Sequence, residues 1–157
     1  NLNCKNKINF VSHHLCHLAS AFDRSEFKKS LVGSFDGLGE IESSMYALGN
    51  NLKLKILNEK NKFPDSLGLI YAATTYFLGW KPFYDEGIVM GLAPYGNRNN
   101  YIPKSRTTYK KVFEDIIKCK NNGTIQINLE WVEYNNQRDK WYRDKFFRLD
   151  GKKRKTG

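Results

Sequence analysis

The sequence has 157 residues, the length of one domain, and its 40% apolar and 14% aromatic shares build a core and exclude a disordered chain. Mean hydropathy is −0.62, and no apolar run approaches the roughly 18 residues that cross a bilayer, which excludes a membrane-spanning helix. The net charge is +10, and Arg138 to Gly157 carries nine Lys/Arg against three Asp, a run that ordinarily marks a solvated surface and not a specific nucleic-acid site.

In chain order, Ile8-Asn9-Phe10-Val11 reads as a short buried strand, followed by a helix from His14 to Phe22. Leu31 to Phe35 is a second strand, stopped by Asp36-Gly37 and Gly39. Ser44–Leu48 and Leu52–Leu57 flank Gly49-Asn50-Asn51, the composition of a hairpin turn. Asp65 or Ser66 caps a helix from Leu67 to Leu78, closed by Gly79. Leu67, Ile70, Tyr71, Thr74 and Leu78 give that helix a core-facing stripe, and Gly68, Ala72 and Ala73 permit close packing. A short helix covers Gly87–Leu92 and stops before Pro94. Val112, Phe113, Ile116 and Ile117 put a helix over Thr107–Lys120, ended by Asn121-Asn122-Gly123. Ile125–Trp131 alternates as a strand, and Gln137–Arg148 is a final helix. The class is α/β, undivided by any linker.

Three scattered cysteines, Cys4, Cys16 and Cys119, fit reduced thiols better than a disulfide framework. The opening NLNCKNKINF has no apolar signal core. The expected location is the cytoplasm.

The chemistry gathers in one stretch. All three histidines fall within His13-His14-Leu15-Cys16-His17. On a helix, His13 and His17 project from one face and can chelate one ion. The Glu of a zinc-protease helix motif is absent, so a metalloprotease does not follow. Asp36, at the end of a strand, completes a face of two histidines and one carboxylate, typical of iron(II) or catalytic zinc. Gly37 and Gly39 let backbone N–H groups approach a phosphate. Read alone, Asp36-Gly37 is more often only a turn dipeptide.

Val11 to Phe22 resembles the HHxxHxxSAF signature of NodU/CmcH-type carbamoyltransferases. Four further blocks follow in that family's order: Phe35 to Glu40, Phe63 to Tyr71, Tyr76 to Gly79, and Val89 to Gly96. The resemblance is collinear over residues 8–96 and thinner beyond, and Ile88 stands where the family carries a lysine. It implies an incomplete actin/hexokinase-type (ribonuclease H-like) domain, a mixed sheet with flanking helices, spanning residues 1–157 as part of a catalytic domain. It also implies a divalent metal, Fe(II) before Zn or Mn, on His13, His17 and Asp36. The family's fourth ligand, an aspartate, is expected downstream of this chain, and its YrdC-like domain elsewhere in the enzyme.

The implied reaction uses carbamoyl phosphate and ATP to form carbamoyl-adenylate, then transfers the carbamoyl group to a hydroxyl of a small-molecule or sugar acceptor. His14 and Glu40 are the candidate proton-transfer residues, with Gly37, Gly39 and Gly91 beside the nucleotide. The competing readings are a metal- or nucleotide-binding fragment without turnover, and a basic RNA-binding module that stacks bases on Trp141, Tyr142 and Phe146.

Overall fold

The computed structural model describes residues 9–136 and 141–149. Helix α1 (His13–Asp23) leads into strands β1 (Lys29–Phe35), β2 (Glu42–Asn50) and β3 (Lys53–Lys62). Helices α2 (Leu67–Phe77), α3 (Glu86–Leu92) and α4 (Tyr109–Ile116) follow, then strands β4 (Ile117–Cys119) and β5 (Ile125–Ile127). Single 3-10 segments cover Ala93–Tyr95 and Asp144–Arg148. No helix among the described residues is long and apolar enough to cross a membrane.

The first sheet runs β1-β2-β3, antiparallel throughout, with Leu31 opposite Leu48 and Phe35 opposite Ser44. Side chains alternate across it as a strand requires. Val32, Met45 and Ala47 face inward, where Leu18 and Phe22 of α1 close a small core over them. Leu31, Phe35 and Leu48 face outward and stay exposed. Gly49 is needed because the Phe22 ring lies where a β-carbon would stand.

A larger core forms around α2. Ile70, Ala73 and Phe77 pack against Val112 and Ile116 of α4, Ile125 and Ile127 of β5, and Trp131, Tyr142 and Phe146 beyond them. The cap of α2 is Ser66, whose Oγ accepts the Leu69 N–H at 3.1 Å. Its C-terminus is a Schellman turn: Gly79, at φ +93°, donates to Tyr76 O while Trp80 N reaches Thr75 O.

Side chains join the two cores. Asn61 Nδ2 donates to Ile125 O at 2.7 Å, and Asn61 Oδ1 accepts from Ile125 N at 3.2 Å, so one amide side chain pairs with β5 as a neighbouring strand would. Asp65 Oδ1 accepts the next outward amide, Ile127 N, at 2.8 Å.

Several expectations change. The mixed sheet is overturned among the described residues: both sheets are antiparallel, because short turns join their strands and no helix crosses to a parallel neighbour. Asn9 to Val11 form no strand, and Phe10 is 95% exposed; Ile8 lies outside the described residues. The β2–β3 turn is Asn51-Leu52, with Asn51 at φ +51°, and Gly49 belongs to β2. The expected helix over 107–120 stops at Ile116, because the Asn121-Asn122-Gly123 turn folds Ile117–Cys119 onto Ile125–Ile127. The strand after it ends at Ile127, where Asn128 opens a turn to Trp131. Of the final helix, 137–140 lies outside the described residues. Tyr142 pairs with Val132 in a bridge, and only Asp144–Arg148 is helical, as 3-10. Tyr142 and Phe146, offered as base-stacking rings, are buried in the core.

Candidate metal centre

α1 and the end of β1 bring three donors together. His13 Nε2 lies 2.6 Å from Asp36 Oδ2 and 3.0 Å from His17 Nε2, and His17 Nε2 lies 3.5 Å from Asp36 Oδ2. A transition-metal ion with bonds of about 2.0–2.2 Å holds neighbouring ligands roughly 3 Å apart, so this triangle fits one ion. The chemistry of the donors agrees. His13 Nε2 has at most one proton to give and lies within reach of both the Asp36 carboxylate and His17 Nε2. A cation satisfies all three at once.

Asp36 is the most firmly held of the three. Its Oδ1 accepts the Gly37 N–H at 2.6 Å, and its own N–H donates to Ser43 O. Ser66 Oγ reaches the carbonyls of Asp36 and Gly37, at 3.0 and 2.7 Å. Partial burial pushes the Asp36 carboxyl up, but the hydrogen bonds from His13 and Gly37 and the charges of His13 and His17 outweigh it, so the group sits below its ordinary value. A β-carbon on Gly68 would stand 2.5 Å from Gly37 N and 2.7 Å from the Asp36 carbonyl, so only glycine lets α2 back onto this loop. Sequence reasoning assigned Ser66 to a cap and Gly68 to helix packing. Both also hold the carboxylate in place, and the one signal was their closeness to the start of α2.

His14 points the other way. It is fully buried, with Nδ1 2.8 Å from Ser34 Oγ and Nε2 2.9 Å from Glu42 O. A carbonyl only accepts, so Nε2 carries the proton and Nδ1 accepts from the Ser34 hydroxyl. Neither ring nitrogen is left for a substrate. His14 pins α1 to the sheet and so sets the facing of His13 and His17.

Glu40 is exposed and caps α1, its Oε1 accepting the His13 N–H at 3.2 Å. Hydrogen bonds from its own backbone N–H and that of His13 hold its carboxyl below the usual range. Gly37 lies beside the triad, and Gly39 packs on the His14 ring. Gly91 sits on α3, where an added β-carbon would meet nothing beyond its own helix among the described residues.

The triad stands between two depressions. On the His13 side is a cleft of about 950 Å³ with Phe35, Leu69, Tyr71, Phe83 and Trp141 among its walls. On the His17 side is a smaller one of about 470 Å³, which Ser20 and Ser34 line. Sequence reasoning missed the aromatic wall, whose members are scattered along the chain.

Residues 2–155 match the family model described as Carbamoyltransferase N-terminus. The chain belongs to this family. The match takes in all three donors of the triad. Among similar proteins, the nodulation protein NolNO of Sinorhizobium fredii is 40% identical over 128 residues, 80% of this chain and 17% of that protein. The nodulation protein NolO of Bradyrhizobium diazoefficiens is 34% identical over 124 residues, 78% of this chain and 20% of its own length. The protein sll1178 of Synechocystis is 36% identical over 135 residues, 83% of this chain and 20% of that protein. This carbamoyltransferase-family chain thus spans a fifth or less of the length of these relatives.

Proposed function

We propose that this chain is the metal-bearing part of a carbamoyltransferase within an incomplete actin/hexokinase-type domain. The enzyme moves a carbamoyl group from carbamoyl-adenylate, made from carbamoyl phosphate and ATP, to a hydroxyl of a small-molecule or sugar acceptor. The convergence of His13 Nε2, His17 Nε2 and Asp36 Oδ2 within 3.5 Å carries this reading. Family membership supplies the reaction class. A divalent ion there, Fe(II) before Zn or Mn, supplies positive charge that offsets the charge growing on the leaving phosphate.

The chain's own residues do the rest. α1 presents His13 and His17 one turn apart, and Ser66 and the Gly37 N–H keep Asp36 turned toward them. The Gly37 and Gly39 N–H groups, expected beside a phosphate, are instead given to Asp36 Oδ1 and Glu42 O, while Gly91 leaves one face of α3 uncovered for the nucleotide. Of the two candidate proton acceptors, His14 has both ring nitrogens engaged and Glu40 stays at the surface. Glu40 is therefore the better placed to take the acceptor's proton. Free Cys16 and Cys119 suit the reducing cytoplasm in which we place the reaction.

Elemental analysis tests the centre on this chain. Wild type should carry close to one equivalent of a transition metal, and His13→Ala, His17→Ala and Asp36→Asn should each lose most of it. Equal metal in all four would overturn the site. Transfer itself is to be assayed on a chain of the relatives' full length, with carbamoyl phosphate, ATP and a panel of hydroxyl compounds read by mass spectrometry.

A further inference from the structure

The aromatic cleft beside the triad has a chemistry of its own. His13 and Asp36 form one end of it, so a molecule bound there reaches the metal centre directly. Its walls are rings and aliphatic side chains. Neither lysine nor arginine is among the described lining residues, in a chain of net charge +10. Glu86 adds a carboxylate to that of Asp36. Away from the triad, where a cation would sit, the described wall offers a phosphate mainly the Glu86 carboxylate and apolar rings, so a phosphate gains little there.

One wall is built at a cost. Phe83 has φ +68°, a left-handed backbone that a bulky side chain rarely adopts. Glu86 Oε1 holds it there by accepting the Phe83 N–H at 2.6 Å. The result is a ring that is 61% exposed, standing beside Gly37 and edge-on to Trp141 at 5.1 Å. Trp141 is fixed from behind, where its carbonyl accepts the Glu133 N–H and the next residue bridges to Val132. In the free chain the ring gains an edge contact with Trp141 but leaves most of its surface exposed. The strained backbone is accounted for if that surface meets a ligand.

We propose that this cleft is the acceptor subsite, with Phe83 and Trp141 as the face on which the acceptor lies. The acceptor is an uncharged or cationic hydroxyl compound with a broad apolar face, and a phosphorylated one is rejected. The activated donor then reaches the triad from the other side. The assignment rests on the transferase reading for the word acceptor, but the polarity of the cleft stands without it.

The test is a ligand-detected NMR titration of this chain with phenyl β-glucoside, a neutral polyol ring with an apolar face, and with its 6-phosphate. The neutral probe should bind at least about tenfold more tightly than the phosphate. Phe83→Gly removes the ring and relieves the backbone, so thermal stability should hold or rise while affinity falls about tenfold. Phe83→Tyr should keep the affinity, and Trp141→Ala should lose it. Equal binding of the two probes, or binding indifferent to Phe83 and Trp141, would overturn the subsite even with the metal in place. Loss of the metal result with probe binding intact would overturn the transferase reading and leave a neutral-ring site.

Discussion

His14 and His13 are neighbours in sequence with opposite duties. His13 faces outward with Nε2 toward Asp36 and His17, while His14 has both nitrogens used by Ser34 and Glu42. Replacing His14 by alanine leaves a cavity and strips the Ser34 hydroxyl and the Glu42 carbonyl of a partner. It should cost about 2–4 kcal/mol of stability in denaturant titration. The folded protein should still take up metal, but less tightly than wild type, because α1 is no longer pinned to the sheet. His13→Ala should do the reverse, leaving stability near wild type and removing the ion. A second residue-scale pair is Asp115 and Trp131. The indole N–H donates to Asp115 Oδ2 at 2.9 Å and, first among several causes, holds that carboxyl below its ordinary value of 3.8. A depressed carboxyl stabilises the fold above the unfolded value, and the contribution is lost as pH falls through the folded value. Trp131→Phe loses the donor and part of the buried ring. The hydrogen bond, to a half-exposed carboxylate, contributes at most about 1 kcal/mol of the loss near neutral pH, and the packing loss adds to it. The gap between the two proteins should narrow, leaving the packing loss, as pH drops below 3.8.

At the scale of elements, two glycines separate structure from site. Gly49 of β2 makes room for Phe22, and Gly68 of α2 makes room for the Asp36 loop. Alanine at either overpacks the chain and should cost about 1–3 kcal/mol. Only Gly68→Ala should also weaken metal binding, because the backbone it displaces carries a ligand. Equal metal affinity in the two variants would show that α2 does not brace the site. The same elements show what the sequence could reveal. α2 was legible because Ser66 and Gly79 are local signals that act as expected, but its buried face was not. Of Leu67, Ile70, Tyr71, Thr74 and Leu78 only Ile70 is buried, with Leu69, Ala72, Ala73, Thr75 and Phe77 inside instead. The triad was legible because two of its members share one helix face and the third ends a strand. The break at Ile116 was not, because apolar Ile117 continues the helical spacing and the pairing partner, Ile127, lies across a turn. Nor was the cleft: Phe35, Phe83 and Trp141 have no common period and meet only once α2 is seated.

For the whole molecule, the question is what keeps the small core under α1 and the larger core around α2 from parting. The triad depends on both, since α1 supplies the histidines while Ser66 and Gly68 of the α2 side fix Asp36. The Asn61 and Asp65 side chains that cover the outer edge of β5 are the visible joints, together with Tyr46 Oη, which donates to Gly123 O at 3.0 Å. Because the Ile125 and Ile127 amide protons are shielded by side chains of the other half and not by a strand, each works as a clock on the seam. In deuterated solvent the two should exchange at a common rate set by the parting of the halves, slower than the amides of the Asn51-Leu52 turn. Asn61→Ala should quicken Ile125 roughly tenfold and Ile127 less, which would time how often the metal centre loses its brace.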